Sequence, residues 1–211
     1  MIHCTILFQV SLLNYNAISY SLAIGFDTRS QRAIYRDSKI GIVAVSLDGQ
    51  SVTQLNDDWE AFSIAVDNVA GNLYWVRRNL VRCSRTDGLH IRTLHAAPED
   101  NTVTDIAVYP QRLALFWTVK SEASGAVMRS RLDGSDAVAV DSLPIRPFGI
   151  AVDYRDDRVY YADLLDGQAT LISINMNGSN RKKIHQGLCL LKNDTLFLKF
   201  YYRNLRDFFR I

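Results

Sequence analysis

A set of three short motifs that returns four times, with a period of about forty residues, constrains this 211-residue chain more than anything else in it. Ile24-Gly25-Phe26-Asp27, Ile64-Ala65-Val66-Asp67, Ile106-Ala107-Val108-Tyr109 and Ile150-Ala151-Val152-Asp153 open four segments. Each opening is followed by an aromatic-rich tetrad at a constant distance: Ile34-Tyr35-Arg36-Asp37, Tyr74-Trp75-Val76-Arg77, Phe116-Trp117-Thr118-Val119 and Tyr160-Tyr161-Ala162-Asp163. A third strand follows in each unit and ends in a turn dipeptide: Asp48-Gly49, Asp87-Gly88, Asp133-Gly134 and Asn177-Gly178. Short alternating runs of β-branched and aromatic residues favour strands, and Asp-Gly or Asn-Gly accepts the positive φ of a tight hairpin. The fourth strands end in Leu55, Leu94, Val140 and Ile184. Four strands per unit at this period describe propeller blades better than a sandwich, and alternation by two argues against HEAT or armadillo helices of similar period.

The tetrads are degenerate copies of Tyr-Trp-Thr-Asp. With the openings and the Asp-Gly turns, residues 20 to 187 resemble low-density-lipoprotein-receptor class B repeats, and Val69 to Trp75 and Gly178 to Lys182 resemble blades of LDL-receptor-related proteins. The resemblance implies an all-β, YWTD-type propeller, incomplete, with about four of six four-stranded blades. Their expected boundaries are 20–60, 61–101, 102–146 and 147–187, after an N-terminal strand or irregular segment (1–19) and before an off-pattern tail (188–211). In such blades the second strand carries the tetrad, so Tyr35, Trp75, Trp117 and Tyr161 are expected between blades, where each aromatic buries about 150 to 250 Å². The family's tetrad Asp ties blades together. Only Asp37 and Asp163 occupy that position here, since Arg77 and Val119 cannot accept a hydrogen bond, and Tyr109 replaces the opening Asp of the third unit.

The four histidines, His3, His90, His95 and His185, have no spacing that assembles a nucleophile, base and orienter, and there is no phosphate loop or His-Glu-x-x-His. The three glutamates, Glu60, Glu99 and Glu122, avoid the inner-strand positions where calcium-dependent propeller hydrolases place acids. The expectation is therefore a chain that is not an enzyme, with no cofactor and no metal. Three cysteines, Cys4, Cys83 and Cys189, lie far apart and imply no disulfide framework. The 24 basic and 22 acidic side chains are mixed along the chain, which excludes a field suited to nucleic acid. No run spans a bilayer, and Ile6 to Leu13 lacks the flanks of a signal peptide.

The resemblance implies a protein-binding module of a cell-surface or endocytic receptor, with EGF-like modules beside it and a membrane reached only through missing parts of the parent. It would act on the extracellular side of the plasma membrane or in the endosomal lumen, where His90 and His95 are the candidates for sensing acid. Arg77, Arg78, Arg82 and Arg85 form a candidate ligand surface, and the sequons at Asn177 and Asn193 are candidate glycosylation sites. The alternatives are a secreted six-bladed-propeller hydrolase relative and a nonfunctional truncated gene product, the latter suggested by the loss of pattern after Gly187.

Overall fold

The computed structural model describes residues 23–165 and 168–188. The segments 1–19 and 189–211, with Cys4, Cys189 and the Asn193 sequon, lie outside the described residues. Each repeat folds as a four-stranded antiparallel sheet whose strands follow one another in chain order. The first holds β1 (Ile24–Asp27), β2 (Arg32–Asp37), β3 (Gly41–Ser46) and β4 (Val52–Asn56). The second holds β5 (Ser63–Asp67), β6 (Asn72–Arg77), β7 (Leu80–Arg85) and β8 (Arg92–Ala96). The third holds β9 (Thr102–Tyr109), β10 (Ala114–Lys120), β11 (Gly125–Arg131) and β12 (Val138–Asp141), with one turn of 3-10 helix at Pro110–Arg112. The fourth holds β13 (Pro147–Asp153), β14 (Arg158–Leu165), β15 (Gln168–Asn175) and β16 (Lys182–Leu188).

The repeat is kept in the register. The first residue of each opening faces the second residue of its tetrad: Ile24 with Tyr35, Ile64 with Trp75, Ile106 with Trp117 and Ile150 with Tyr161. Every blade also shifts register at the same place between its third and fourth strands, at Ile42/Val43, Val81/Arg82, Val127/Met128 and Leu171/Ile172. A bulge increases local twist, so each blade turns its outer strand in the same sense.

The first strands of successive blades pack side by side, β1 on β5, β5 on β9 and β9 on β13, which places them nearest the axis of the arc. Strand alternation sends the two aromatics of a tetrad to opposite faces. The first packs towards the following blade and the second towards the preceding one. Ile34 thus meets Ile64, Leu73 and Trp75; Tyr74 meets Ile106, Leu115 and Trp117; Phe116 meets Ile150, Val159 and Tyr161. Trp75, Trp117 and Tyr161 are fully buried, whereas Tyr35 is only half-buried.

The turn glycines have a second duty beyond φ. Gly88 and Gly134, at φ 86° and 88°, lie against the fourth strand of the preceding blade, where an added Cβ would stand 2.5 Å from the Leu55 carbonyl and 2.8 Å from the Leu94 carbonyl. Gly178 meets the Val140 carbonyl in the same way. Each of these three hairpins is therefore a wedge as well as a reversal, and any side chain at its tip pushes two blades apart.

Candidate functional site

The richest polar constellation joins blade one to blade two. Leaving β4, the chain runs through Asn56-Asp57-Asp58-Trp59-Glu60 before entering β5. Asp58 is buried, and its Oδ2 accepts the indole N–H of Trp75 at 2.6 Å and the Arg82 guanidinium at 2.7 Å. Arg82 also lies over the Trp75 ring, 5.5 Å from its centroid, and Arg77 adds a contact to Asp58 Oδ1 at 3.2 Å. Beside them Glu60 receives Arg77 at 2.7 Å and Arg78 at 2.7 Å, and those two guanidinium groups hold its carboxyl below the usual range. Arg77, which cannot accept as a tetrad Asp would, has become the donor of a charge-reversed tie.

These ties fix a loop that presents aromatics to solvent. Trp59 N donates to Asp57 O at 2.8 Å, Phe62 N to Val76 O at 2.8 Å, and Arg36 Nη1 to Trp59 O at 3.2 Å. Ala61 is buried between Trp59, 53% exposed, and Phe62, 48% exposed. Arg78 stands beside them at φ 52°, a conformation uncommon outside glycine, with its carbonyl held by Val103 N at 2.7 Å. The result is a rigid rim of two exposed aromatics and a cation.

Blade three meets blade four through an analogous latch. Asp141 Oδ2 accepts the Tyr161 hydroxyl at 2.5 Å and Arg181 Nε at 2.9 Å. At Trp117, between blades two and three, no such acid is found among the described residues. His95 stacks on Trp117 with ring centroids 5.2 Å apart, and the buried Trp117 indole N–H has no hydrogen-bond partner among the described residues. Burial pushes the His95 imidazole down from its ordinary value.

Nearest the axis, Asp105 on β9 binds three blades: its Oδ1 accepts Ser63 Oγ at 2.5 Å from β5, and its Oδ2 accepts Ile150 N at 2.7 Å from β13. Burial raises its pKa despite these bonds. Sequence reasoning missed it, because only glutamates had been weighed at inner-strand positions. Among the described residues, no three His, Cys, Asp or Glu side chains are grouped to hold a metal ion.

The four arginines are dispersed. Arg77 and Arg78 reach the rim, Arg82 lies between blades, and Arg85, bonded to Asp87 at 3.4 Å, sits at the opposite rim. Asp37 Oδ1 accepts Lys39 N and Ile40 N within its own turn. Asp163 accepts Ile145 N and Arg146 N, pinning the connection that leads from blade three into its own blade. Asn177 is exposed at its turn, its Oδ1 accepting Ser179 Oγ at 2.7 Å.

No protein-family model matches the chain. Solved structures do. A nidogen/laminin complex chain superposes with TM-score 0.67 at 20% identity, over 80% of this chain and 65% of that one. A gluconolactonase of Xanthomonas campestris gives 0.62 at 17%, over 78% and 62%, and a luciferin-regenerating enzyme gives 0.61 at 13%, over 79% and 61%. The fold is that of a β-propeller. The chain spans less than two thirds of each of these structures.

These likenesses correct one expectation. The exclusion of enzymes does not stand, since the propeller neighbours are largely enzymes, a gluconolactonase and a luciferin-regenerating enzyme among them. Missing triad spacing is a poor ground for that exclusion, because the strands nearest the axis lie about forty residues apart in the chain, so side chains that meet there have no short spacing. Among the described residues no helix is long and apolar enough to cross a membrane.

Proposed function

We propose that this chain is an LDL-receptor class B type propeller that binds a protein ligand through the rim of its first two blades. The observation that carries the reading is the loop from Asp58 to Phe62. It holds Trp59 and Phe62 half in solvent while ion pairs at both of its acids keep the backbone in place. Trp and Arg dominate the binding energy of protein interfaces, and an anchor that is already ordered loses little entropy when its partner arrives. The four-fold motif set and the likeness to a nidogen/laminin complex chain support the family and the class of ligand. In this reading residues 20–187 are a piece of a receptor ectodomain, flanked by EGF-like modules and facing the extracellular or endosomal side. An exposed sequon turn at Asn177 suits that location.

The test is to crosslink the purified chain to cell-surface proteins, identify a captured protein and titrate it against variants. Trp59→Ala is expected to weaken binding by roughly thirtyfold or more. Leu89→Ala, an exposed apolar residue of the opposite rim, is expected to leave binding unchanged. Equal affinity of the Trp59 variant and the parent sinks the rim. Steady turnover of a lactone by the purified chain replaces the binding reading with a propeller hydrolase.

A further inference from the structure

A cleft of about 550 Å³ opens between blades two and three at the end opposite the proposed rim. That volume falls in the range of small-molecule sites. One wall is the face of blade two: Tyr74 on β6, Cys83 on β7 and Arg92 on β8, with Arg85 and His90 at the hairpin. The other wall is the blade-three turn at Leu132 and Asp133.

The charges of the cleft are unevenly matched. Asp133 accepts Ser135 N at 2.9 Å and Ser135 Oγ at 2.6 Å, bonds that keep it ionised, and its charge acts on Arg92 without forming an ion pair. Arg85 has Asp87 at 3.4 Å. Arg92 donates its Nε to the sulfur of Cys83 at 3.4 Å, and among the described residues no carboxylate lies within ion-pair distance of it. Sulfur is a weak acceptor, so this bond orients the guanidinium without neutralising it and leaves the forked nitrogens for a ligand. Burial pushes the Tyr74 phenol far up, so it stays neutral at the floor of the cleft, its ring packed into the core between the two blades.

The equivalent boundaries are bridged by hydrogen bonds. At the blade one to two boundary, Asn68 clips the blades by donating to Phe26 O at 3.0 Å and accepting from Thr28 N at 2.7 Å, and Arg32 reaches Thr86 O at 3.0 Å. At the three to four boundary, Tyr154 donates to Val108 O at 2.9 Å, and Tyr109 crosses to Asp157 at 2.6 Å. The corresponding residue of blade three is Pro110, whose ring supplies no donor. We propose that the cleft between blades two and three binds a small organic acid, its carboxylate or phosphate paired with Arg92 and its apolar body against Leu132.

Saturation-transfer NMR and calorimetry on the full chain, with phenylacetate, phenyl phosphate and neutral benzyl alcohol, test this. One of the two acids is expected to bind saturably and the alcohol to bind far more weakly; the tighter acid identifies the headgroup. Arg92→Gln is expected to weaken that acid by roughly tenfold or more, and Arg92→Lys by less, because charge remains but the fork is lost. Leu132→Glu, on the other wall, is expected to abolish binding, while Arg155→Gln on an exposed turn of blade four changes nothing. Absence of saturable binding by either acid overturns the proposal, as does undiminished affinity in a folded Arg92→Gln protein.

Discussion

Two kinds of blade interface coexist in this molecule. The first and third are latched by a buried carboxylate that receives a tetrad aromatic and an arginine together, Asp58 with Trp75 and Arg82, Asp141 with Tyr161 and Arg181. The second has the aromatic but neither the acid nor the arginine; Trp117 faces His95, and the strand partner of Trp117 is Met128 where Trp75 has Arg82. Apolar packing around Tyr74, Leu115 and Trp117 holds that boundary instead. Hydrophobic contact is non-directional, whereas a shared carboxylate fixes orientation. The difference teaches that the same backbone repeat is closed at the tetrad by a shared carboxylate in two places and by apolar area in the other, where the polar ties are the Asp105 bond to Ser63 nearer the axis and the Val103 bond to the Arg78 carbonyl.

Removing a latch acid is the most damaging way to break the comparison. Asp58→Ala leaves the buried Trp75 indole N–H and the Arg82 guanidinium, about a quarter exposed, without their shared acceptor, and loss of one partner from a buried ion pair costs about 3–5 kcal/mol. Asp141→Ala is expected to cost less, about 2–3 kcal/mol, because Arg181 retains a third of its side-chain exposure and can be hydrated. Both are read as a fall in the urea midpoint. A loss below about 1 kcal/mol for Asp58→Ala makes the latch ornamental and the two kinds of interface equivalent.

A gentler manipulation builds the missing latch. Gly88 rests on the Leu55 carbonyl and Gly134 on the Leu94 carbonyl, so these two leucines are equivalent, and three residues further on stand Asp58 and Ala97. Ala97→Asp and Met128→Arg each bury an unpaired charge and are expected to destabilise singly. Together they offer Trp117 Nε1 the acceptor it lacks, and a double-mutant cycle is expected to return a favourable coupling of about 1–3 kcal/mol. Strict additivity means the second interface differs in backbone geometry, not only in side chains.

What the sequence made legible follows the same division. Openings, tetrads and hairpin glycines repeat because strand pairing and blade contact impose the same demand on every unit, so blade order and register could be read directly. The latch acids do not repeat in place. Asp58 lies three residues past Leu55 and Asp141 one past Val140, and each meets a different donor, the Trp75 indole N–H or the Tyr161 hydroxyl. The arginines of blade two looked like one patch along the chain, yet a strand rises about 3.3 Å per residue, so Arg77 and Arg85 end on opposite rims across a six-residue hairpin strand. Arg77 could be recognised as unable to accept a hydrogen bond; that Glu60 had moved into the preceding loop to reverse the charges needed three dimensions.

The smallest expected effect sharpens the comparison by pH. Among the described residues His95 is the titratable group stacked on Trp117, and burial alone lowers its pKa beneath the ordinary 6.5. A folded-state pKa below the unfolded one means that the unfolded chain binds more protons in that window. Stability is therefore full above about pH 6.5 and is lost as pH falls towards the folded value. Asp105 works in the opposite sense and lower on the scale: its raised pKa penalises the folded state as pH climbs from the ordinary carboxylate value. The His95→Phe variant separates the two, since phenylalanine keeps a ring on Trp117 and cannot titrate. Between about pH 8 and about pH 5 the parent is expected to lose stability relative to His95→Phe, measured as the difference in urea midpoints. Parallel midpoints across that range mean that His95 is solvated in both states, and the second interface is then no more sensitive to acid than the latched pair.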